Sequence, residues 1–335
     1  MTMKRKIIGI LAAKNLVSQG YPFLEAIYSF LNWGDELYIS DGYSNDGTFD
    51  ILSKLSKNKR IHLYRYRWPD LKKGVSIGAA YNNLIETAKK RAGKWDYIFE
   101  LQANEIAHEE TYTRLRNLIE EYPQTKVFIL PYNLFCWRYI LNYDWRFRLI
   151  KANLNFKSLG DGMHLEPLKE VSTRTVIRDI LGQVYRYKKH GQYYSRLFNL
   201  TVNRGKREEP SLYQIVPLDP PIFRYNLLFP NNIIKKLKGH AELYKTKEYD
   251  RKDMFYNAEN FFKSNYEKIS IEDIYYNFIK RYFNTIFINI NNKTYTDIIK
   301  RTELENLKHP KIMKDIMDLY KYKVREELID EIIDI

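Results

Sequence analysis

The sequence has a single cysteine, few glycines and prolines, and no hydrophobic run long enough to cross a bilayer. With Cys136 alone, the chain can form neither an intramolecular disulfide nor a cysteine-based zinc site. Fourteen Gly and eleven Pro are too few for a fibrous or low-complexity chain. Crossing a bilayer takes roughly 20 consecutive apolar residues, and Arg138, Asp144 and Arg146 interrupt the best stretch, at 128–150.

A secretory leader is also missing from the sequence. Residues 1–6 are basic, but the apolar run at 7–13 is short and no small-residue cleavage site follows it. These absences predict a cytoplasmic protein, either free or at the inner surface of the membrane. The chain has 335 residues, of which 44% are hydrophobic, enough to bury a sizeable core in one large domain or two small ones.

The chain is strongly basic, with a formal net charge of +14 spread over both halves. Such an excess suits an anionic partner, which would be a nucleotide diphosphate, a phospholipid surface or a nucleic acid. The alternative is a solvated basic surface on a protein rich in Lys, Ile and Tyr, a composition that is also typical of thermophiles.

The first half of the chain alternates between strand-like and helix-like segments. Continuous apolar runs and short alternating segments predict strands at 7–13, 37–40, 61–66, 97–101, 127–131 and 147–151. Amphipathic patterns predict helices at 22–32, from Thr48 to about 55, at 75–92 and at 109–121, with Pro22 in the first turn and Thr48 as a cap. This alternation predicts an α/β, Rossmann-like fold with a mostly parallel sheet flanked by helices.

The texture changes after about residue 175, where longer helical patterns rich in Tyr, Phe, Ile, Lys and Arg begin. They lie at 176–194, 233–247, 271–288 and 312–333, and prolines at 217–230 separate the first from the rest. We therefore predict one domain over 1–215 and a mainly α-helical C-terminal region over 216–335. Helix core is the favoured interpretation of the aromatic stripes; the alternative for 271–288 is a membrane-facing or dimer-forming helix.

Three loops follow predicted strands, and ligands of open α/β sheets bind beyond the carboxyl ends of the strands. The first loop, at 14–21, contains Asn15. The second, at 41–48, has two glycines and several turn-forming Asp and Asn residues, and its Asp41 can accept hydrogen bonds from a base or a ribose. The third, at 101–105, has two amides and a carboxylate where a metal-bound diphosphate would sit.

The order of these loops resembles the family 2 glycosyltransferases of the GT-A fold, in particular a bacterial and archaeal subgroup with a Gln-Ala-Asp-Glu signature. The resemblance covers roughly residues 6–165. The matching residues are Asn15, Gly20 to Phe23, Glu25, Asp41, Ser44, Asp46, Gly47, Thr48, Gly74, Asn82, Gln102 to Glu105, His108 and Glu109. Several ordered motifs make this match fairly specific, although each motif alone is weak.

The resemblance implies a site for a nucleotide-sugar donor in the domain at 1–215. It places Asp41 at the base and ribose, and it assigns donor binding also to Asn15, Ser44, Asp46, Gly74, Asn82, Gln102 and Asn104. It further implies a divalent cation, Mn²⁺ or Mg²⁺, held by Glu105 and Asn104. The imidazole of His164 could assist as a further ligand, although a structural histidine is the favoured interpretation. Because Gln102 and Asn104 offer only neutral oxygens, we expect a weaker metal site than usual.

An inverting transfer needs a general base for the hydroxyl proton of the acceptor. Asp161, flanked by glycines, is the first candidate, and Asp144 is the alternative; an ordinary turn acid is the competing interpretation of Asp161. Arg146 and Arg148 share one face of a predicted strand, where they would bind phosphate or acceptor or form a solvated basic face. A basic and aromatic tract at 186–196 suits sugar, phosphate, lipid or single-stranded nucleic acid, or a packed helix.

The sequence therefore predicts an enzyme that transfers a sugar from a UDP- or GDP-linked donor to a hydroxyl of a glycan, lipid or protein. The C-terminal region would contact the acceptor, the membrane or a second copy in a homodimer. The alternative is a catalytically weakened GT-A protein that serves as a nucleic-acid-binding or scaffolding module. The ordered donor loops argue against it, because a nucleic-acid-binding protein does not need them. A nucleotidyltransferase would need a Gly-rich, basic first loop, which the sequence lacks.

Overall fold

A computed structural model of the chain describes residues 5–70, 75–91, 96–123, 125–159, 164–167, 213–216, 218–236, 270–278 and 308–335. The strands are β1 (Ile7–Ala13), β2 (Glu36–Asp41), β3 (Ile61–Arg65), β4 (Tyr97–Glu100), β5 (Glu105–Ile106), β6 (Val127–Cys136), β7 (Tyr139–Lys151), β8 (Phe156–Leu159), β9 (His164–Pro167), β10 (Tyr213–Ile215) and β11 (Ile222–Leu227). The helices are α1 (Phe23–Leu31), α2 (Thr48–Leu55), α3 (Val75–Arg91), α4 (Tyr112–Glu121), α5 (Ile271–Phe278) and α6 (Glu326–Asp334).

Within these residues, nine strands form one sheet in the order β3-β2-β1-β4-β7-β6-β11-β5, and β10 also pairs with β6. Strands β3, β2, β1 and β4 are parallel, as the sequence predicted. Strand β7 is antiparallel to both β4 and β6, and β5 is antiparallel to β11, so the whole sheet is mixed. The remaining pair, β8 and β9, forms a small antiparallel sheet.

The antiparallel β6–β7 hairpin corrects the prediction of two short strands at 127–131 and 147–151. Strand β6 continues through Pro131, which lies opposite Trp145, and turns tightly after Cys136 into β7. The turn residue Trp137 has a φ of 52°, a conformation for which glycine or asparagine is the usual choice. The sequence therefore carries no turn motif at this point, and proline made the first strand look shorter than it is.

The core consists of two hydrophobic clusters on opposite faces of the sheet, as expected for a doubly covered layer. Ile7 and Leu11 of β1 pack on one face together with residues of α1, α2, α4 and the C-terminal segment. Ile8 and Ile10 pack on the other face with residues of α3. The alternation along β1 follows from the period of two in a strand. A continuous apolar run was therefore the correct indication of a strand buried on both faces.

The helix starts agree with the sequence in position but not always in chemistry. Pro22 was predicted in the first turn of α1, but it takes the N-cap position, and the helix begins at Phe23. Thr48 is the first residue of α2, but the capping position belongs to Gly47, and no side chain caps the helix there. The amide of Thr48 donates to Asp46 Oδ1 at 3.1 Å instead. The predicted helix at 109–121 opens with a 3₁₀ turn at Glu109–Thr111 and continues as α4.

Beyond residue 216 the described segments are partly helical. Residues 230–236 are helical and α5 covers the start of the pattern at 271–288, whereas 176–194 lies outside the described residues. The pattern at 312–333 is helical only at a 3₁₀ turn, Lys311–Met313, and from Glu326 onward in α6. In between, the chain inserts Tyr322 against Phe23 and Phe229, with ring centroids 6.0 and 5.3 Å apart. This packing takes the place of a continuous helix. The domain boundary at 215 stays a prediction.

Candidate functional site

The three predicted loops lie along one edge of the sheet, at the carboxyl ends of neighbouring parallel strands. Ala13 of β1 pairs with Asp41 of β2, so the first two loops leave the sheet side by side. On the other side of β1, the amide of Leu101 donates to the carbonyl of Ile10 at 3.0 Å, directly before the third loop. This edge is the place where an open α/β sheet binds its ligands.

The first two loops are joined by hydrogen bonds into one unit. The amide of Asn15 donates to Ser44 Oγ at 2.9 Å, and the amide of Asn45 donates to Asn15 Oδ1 at 3.1 Å. The amide of Ser18 donates to Asp46 Oδ2 at 2.7 Å. Burial opposes ionisation of Asp46, but hydrogen bonds from Thr48 and Ser18 outweigh it and lower the pKa of this carboxyl. Asn15, Ser44 and Asp46 therefore shape the loops before any ligand arrives.

Both loops contain a non-glycine residue in the left-handed backbone region. Asn15 has a φ of 52° and Tyr43 a φ of 60°. Asparagine tolerates this conformation, whereas for a bulky tyrosine it is uncommon and strained. Such residues cluster at binding and active sites, where the surrounding contacts hold them in place. At Tyr43 the strain accompanies an exposed ring, since 47% of this residue is accessible to solvent.

Asp41 lies at the base of this two-loop unit and is completely buried. Both of its oxygens accept from the amide of Ser44, at 3.2 and 3.3 Å, and Oδ2 also accepts from Arg65 Nε at 3.3 Å. A carboxylate has about four lone-pair positions, so these contacts leave acceptor capacity. The side chain of Arg65 is 37% exposed, so this ion pair joins a buried carboxylate to a guanidinium that solvent reaches.

Aromatic rings and cations cover the outer side of the second loop. The guanidinium of Arg65 lies between the rings of Tyr43 and Phe49, 4.3 and 4.1 Å from their centroids. Arg67 lies 5.2 Å from the Tyr43 ring. Next to them Lys14 Nζ is 5.6 Å from the ring of Trp68. This surface combines π-faces with positive charge, which suits a nucleobase and phosphates.

The third loop is a tight turn in which Asn104 and Glu105 are buried and Gln102 is partly exposed. Two hydrogen bonds close the turn. The backbone amide of Gln102 donates to Glu105 Oε2 at 3.3 Å, and the backbone amide of Glu105 donates to the carbonyl of Gln102 at 3.0 Å. The side-chain amide of Asn104 donates to the carbonyl of Tyr225 at 2.9 Å. The backbone carbonyl of Asn104 accepts from the amide of Tyr225, also at 2.9 Å. Asn104 and Glu105 are 2% and 1% exposed. The turn is thus fixed to β11.

A buried ion-pair network lies directly behind the third loop. Arg148 of β7 donates to Glu105 Oε1 at 2.6 Å and makes a second hydrogen bond to Glu100, and all three side chains are fully buried. Burial disfavours the charged guanidinium, but Glu105 and Glu100 raise the pKa of Arg148. Arg146 and Arg148 are 2% and 0% exposed, so the alternative of a solvated basic face is wrong.

The remaining predicted residues are placed unevenly. Asn82 of α3 makes two hydrogen bonds at 2.9 Å to the amide and carbonyl of Ser158, which tie α3 to β8. Asp144 of β7 lies opposite Tyr132 of β6, and His164 of β9 lies opposite Leu159 of β8. The side chains of Asp144 and His164 lie outside the described part of the structure. Gly74 and Asp161 lie outside the described residues altogether. Their predicted roles stay predictions.

Residues of the C-terminal region that the sequence did not predict support the first loop. Asn232 donates to the carbonyl of Ser18 at 2.9 Å and accepts from the amide of Tyr322 at 3.1 Å. Lys236 Nζ lies 4.0 Å from the ring centroid of Tyr21. Burial, together with Arg224, lowers the pKa of Lys236 well below its usual value. No local motif marks these residues, because the first-loop residues that they contact, Ser18 and Tyr21, are more than 200 positions away.

Gly20 provides a test of this support, with Gly47 as a matched control. Both have positive φ, 66° and 88°, so alanine strains either backbone by about 1–2 kcal/mol. A Cβ at Gly20 would lie 2.4 Å from Asn232 Cβ, whereas one at Gly47 meets nothing within 4 Å. We expect Gly20→Ala to lower the free energy of unfolding by about 1–3 kcal/mol more than Gly47→Ala. Urea denaturation measures both, and equal losses would contradict the close contact with Asn232.

Comparisons with known proteins give structural neighbours only. No family model matches the sequence, and no curated protein matches it. Three neighbours are structures of the S. aureus glycosyltransferase TarS. The first is 16% identical with a TM-score of 0.28 and covers 38% of this chain and 21% of that one. The structure of residues 1–349 with UDP is 16% identical with a TM-score of 0.31, and it covers 39% of this chain and 36% of that one. The structure of residues 1–349 alone is 12% identical with a TM-score of 0.35, and it covers 82% of this chain and 79% of that one.

A fourth neighbour is a glucose-1-phosphate thymidylyltransferase from Bacillus anthracis in complex with sucrose. It is 13% identical with a TM-score of 0.30 and covers 44% of this chain and 72% of that one. The neighbours are thus transferases of two kinds. This chain spans only 21% and 36% of the length of the first two neighbours, and all four TM-scores lie below 0.5.

Proposed function

We propose that the chain is a glycosyltransferase that transfers a sugar from a nucleoside-diphosphate donor, UDP- or GDP-linked, to a hydroxyl of a glycan, lipid or protein. The observation that carries the proposal is the preformed two-loop unit at the carboxyl edge of the sheet, with Asp41 at its base. It combines fixed loops, a strained Tyr43 and a cationic aromatic surface at the position where α/β sheets bind nucleotides.

In this proposal each part of the unit has a role in binding the donor. The exposed ring of Tyr43 offers a stacking surface to the base, and Lys14, Arg65 and Arg67 attract the phosphates. Asp41 accepts a hydrogen bond from the base or the ribose. Since Asp41 is buried and paired with Arg65, the exposed Arg65 side chain has to share this carboxylate or move aside.

The transfer itself requires one bond to form and one to break. The acceptor oxygen attacks the anomeric carbon, the bond from that carbon to the diphosphate oxygen breaks, and the nucleoside diphosphate leaves. The hydroxyl proton passes to a general base, for which Asp161 and Asp144 are the proposed residues. An inverting outcome follows from a single displacement of this kind.

A thermal-shift titration with nucleotides tests the proposal. We expect UDP or GDP to raise the melting temperature and uridine or guanosine to do less, since a ligand at about 100 times its Kd adds roughly 2.7 kcal/mol. Asp41→Asn should weaken that binding about 10- to 100-fold, because a hydrogen bond to a charged group is lost. Calorimetric titration of the same nucleotide measures the affinity.

Asp50→Asn is the matched control for this substitution. Asp50 is an exposed carboxylate in the first turn of α2, close in sequence but outside the two-loop unit, and its replacement should leave nucleotide affinity unchanged. Equal affinities for wild type and Asp41→Asn, in proteins that melt alike without ligand, would contradict the role of Asp41. A folded wild type that no nucleotide stabilises would favour the alternative, a GT-A protein used as a binding module.

A further inference from the structure

The residues of the third loop do not fit the divalent cation that the GT-A resemblance implies. Such a cation takes about six oxygen ligands and prefers charged ones. Glu105 is the one carboxylate in the loop, and its two oxygens already accept from Arg148 and from the amide of Gln102. In the described part of the chain no three His, Cys, Asp or Glu residues come close enough together to hold a metal.

Electrostatics also oppose a cation at Glu105. The guanidinium of Arg148 lies 2.6 Å from Glu105 Oε1, and that of Arg224 lies 3.9 Å from the same oxygen. A divalent ion at this carboxylate would be repelled by both side chains. It would also deprive the buried Arg148 of a partner, and a buried charge that loses its partner destabilises the folded protein. The carboxylate is therefore already neutralised by the protein.

Arg224 is the cation of this group that reaches the surface. It lies on β11 opposite Glu105 in the antiparallel β5–β11 pair, and its side chain is 15% exposed, whereas Arg148 is completely buried. Guanidinium groups form paired, charge-assisted hydrogen bonds with phosphate oxygens. Arg224 therefore offers a phosphate-binding group directly beside the third loop.

We propose that this chain binds its nucleoside diphosphate without a divalent cation, with the Arg224 guanidinium contacting the phosphates. Arg148 is a positioning residue that neutralises Glu105 and fixes the third loop. This inference rests on the proposed function, because it presupposes a nucleoside-diphosphate donor. It replaces the metal expected from the resemblance with side chains from β7 and β11.

The first experiment measures metal binding directly. The electron paramagnetic resonance signal of free Mn²⁺ is followed as wild-type protein or Glu105→Gln is added, without and with UDP or GDP. We expect the signal of free Mn²⁺ to be unchanged by either protein alone. Mn²⁺ binding by the wild type that Glu105→Gln abolishes would overturn the inference. Should Glu105→Gln fail to fold, tight Mn²⁺ binding by the wild type alone has the same consequence.

The second experiment compares UDP and GDP affinities by calorimetry in chelator and in Mn²⁺, which we expect to agree. Arg224→Met should weaken diphosphate binding about 10- to 100-fold while uridine or guanosine binding stays constant, and Arg224→Lys should recover part of the loss. A merely structural role would weaken nucleoside and diphosphate equally and would overturn the assignment. Arg138→Met, at an exposed ion pair with Asp318, is the control.

The outcomes separate this inference from the proposed function. A wild type that binds UDP or GDP only with Mn²⁺ keeps the donor proposal and overturns the metal-free one. A wild type that binds no nucleotide under either condition overturns both. Equal binding in chelator and in Mn²⁺, lost selectively in Arg224→Met, supports both.

Discussion

Replacing Arg148 with methionine lowers the free energy of unfolding by about 3–5 kcal/mol, the largest effect we expect from a single substitution. The change removes the guanidinium that bonds both Glu100 and Glu105, and all three side chains are completely buried. Two carboxylates would then remain in the interior without their partner, which is the costly way to break a buried ion pair. Urea denaturation at neutral pH measures the loss.

Arg138→Met is the matched control, because it breaks an ion pair at the surface. Arg138 bonds Asp318 at 2.8 Å, but the two side chains are 50% and 63% exposed, and such pairs contribute about 0–1 kcal/mol. Adding Glu100→Gln and Glu105→Gln to Arg148→Met should restore part of the stability, since neutral side chains replace the stranded carboxylates. A loss at Arg148 no larger than that at Arg138 would show that the network is solvated in the protein.

Replacing Glu25 with glutamine removes a pH dependence that the buried carboxyl imposes on stability. Glu25 of α1 is completely buried, and burial raises its pKa from 4.5 to about 7, although Arg325, 3.9 Å away, and Tyr322 oppose this. Because the folded state holds the proton more tightly than the unfolded state, the contribution of Glu25 is fully present below pH 4.5. It is lost as the pH rises through about 7.

We therefore expect Glu25→Gln to gain stability relative to wild type between pH 4.5 and 7, by about 3 kcal/mol in total, and to keep a constant difference above that range. The free energies of unfolding of both proteins, measured by urea titration at a series of pH values, give this difference. Taking the difference cancels the contributions of other titrating groups, among them Glu100 and His309.

Glu327→Gln is the control for this prediction. Glu327 hydrogen-bonds to the same Arg325 but is exposed, and that hydrogen bond lowers its pKa. Its contribution is present above the unfolded pKa and is lost as the pH falls, so the sign of its pH dependence is opposite. A flat difference for Glu25→Gln across pH 4.5 to 7 would mean that water reaches this carboxyl in the folded protein.

Much of the α/β half was predictable because its pattern of apolar residues is local. Strand β1, its two parallel neighbours and the helices between them follow directly from continuous apolar runs and helical periodicity. The β6–β7 hairpin was not predictable, since Pro131 lies inside a strand and the turn uses Trp137 instead of glycine. The C-terminal helix was predicted too long, because the helical periodicity continues through Tyr322, which instead packs into the core outside a helix.

The candidate site divides in the same way. The positions of Asn15, Asp41 and Gln102 at one edge of the sheet follow from their places after predicted strands, and the structure confirms those positions. What each side chain binds was not predictable. Asn82, assigned to the donor by resemblance, forms two hydrogen bonds with Ser158, 76 residues away. The roles assigned to the site residues stay proposals until nucleotide binding is measured.

The sequence by itself determined the order of strands and helices in the first half and the edge at which the loops gather, because both depend on neighbours within a few residues. Only the tertiary structure decided that Glu105 meets Arg148, 43 positions along the chain, and that Asn232 supports the loop at Ser18. The physical reason is that sheet register and packing, which join distant segments, select the partner of each buried polar group.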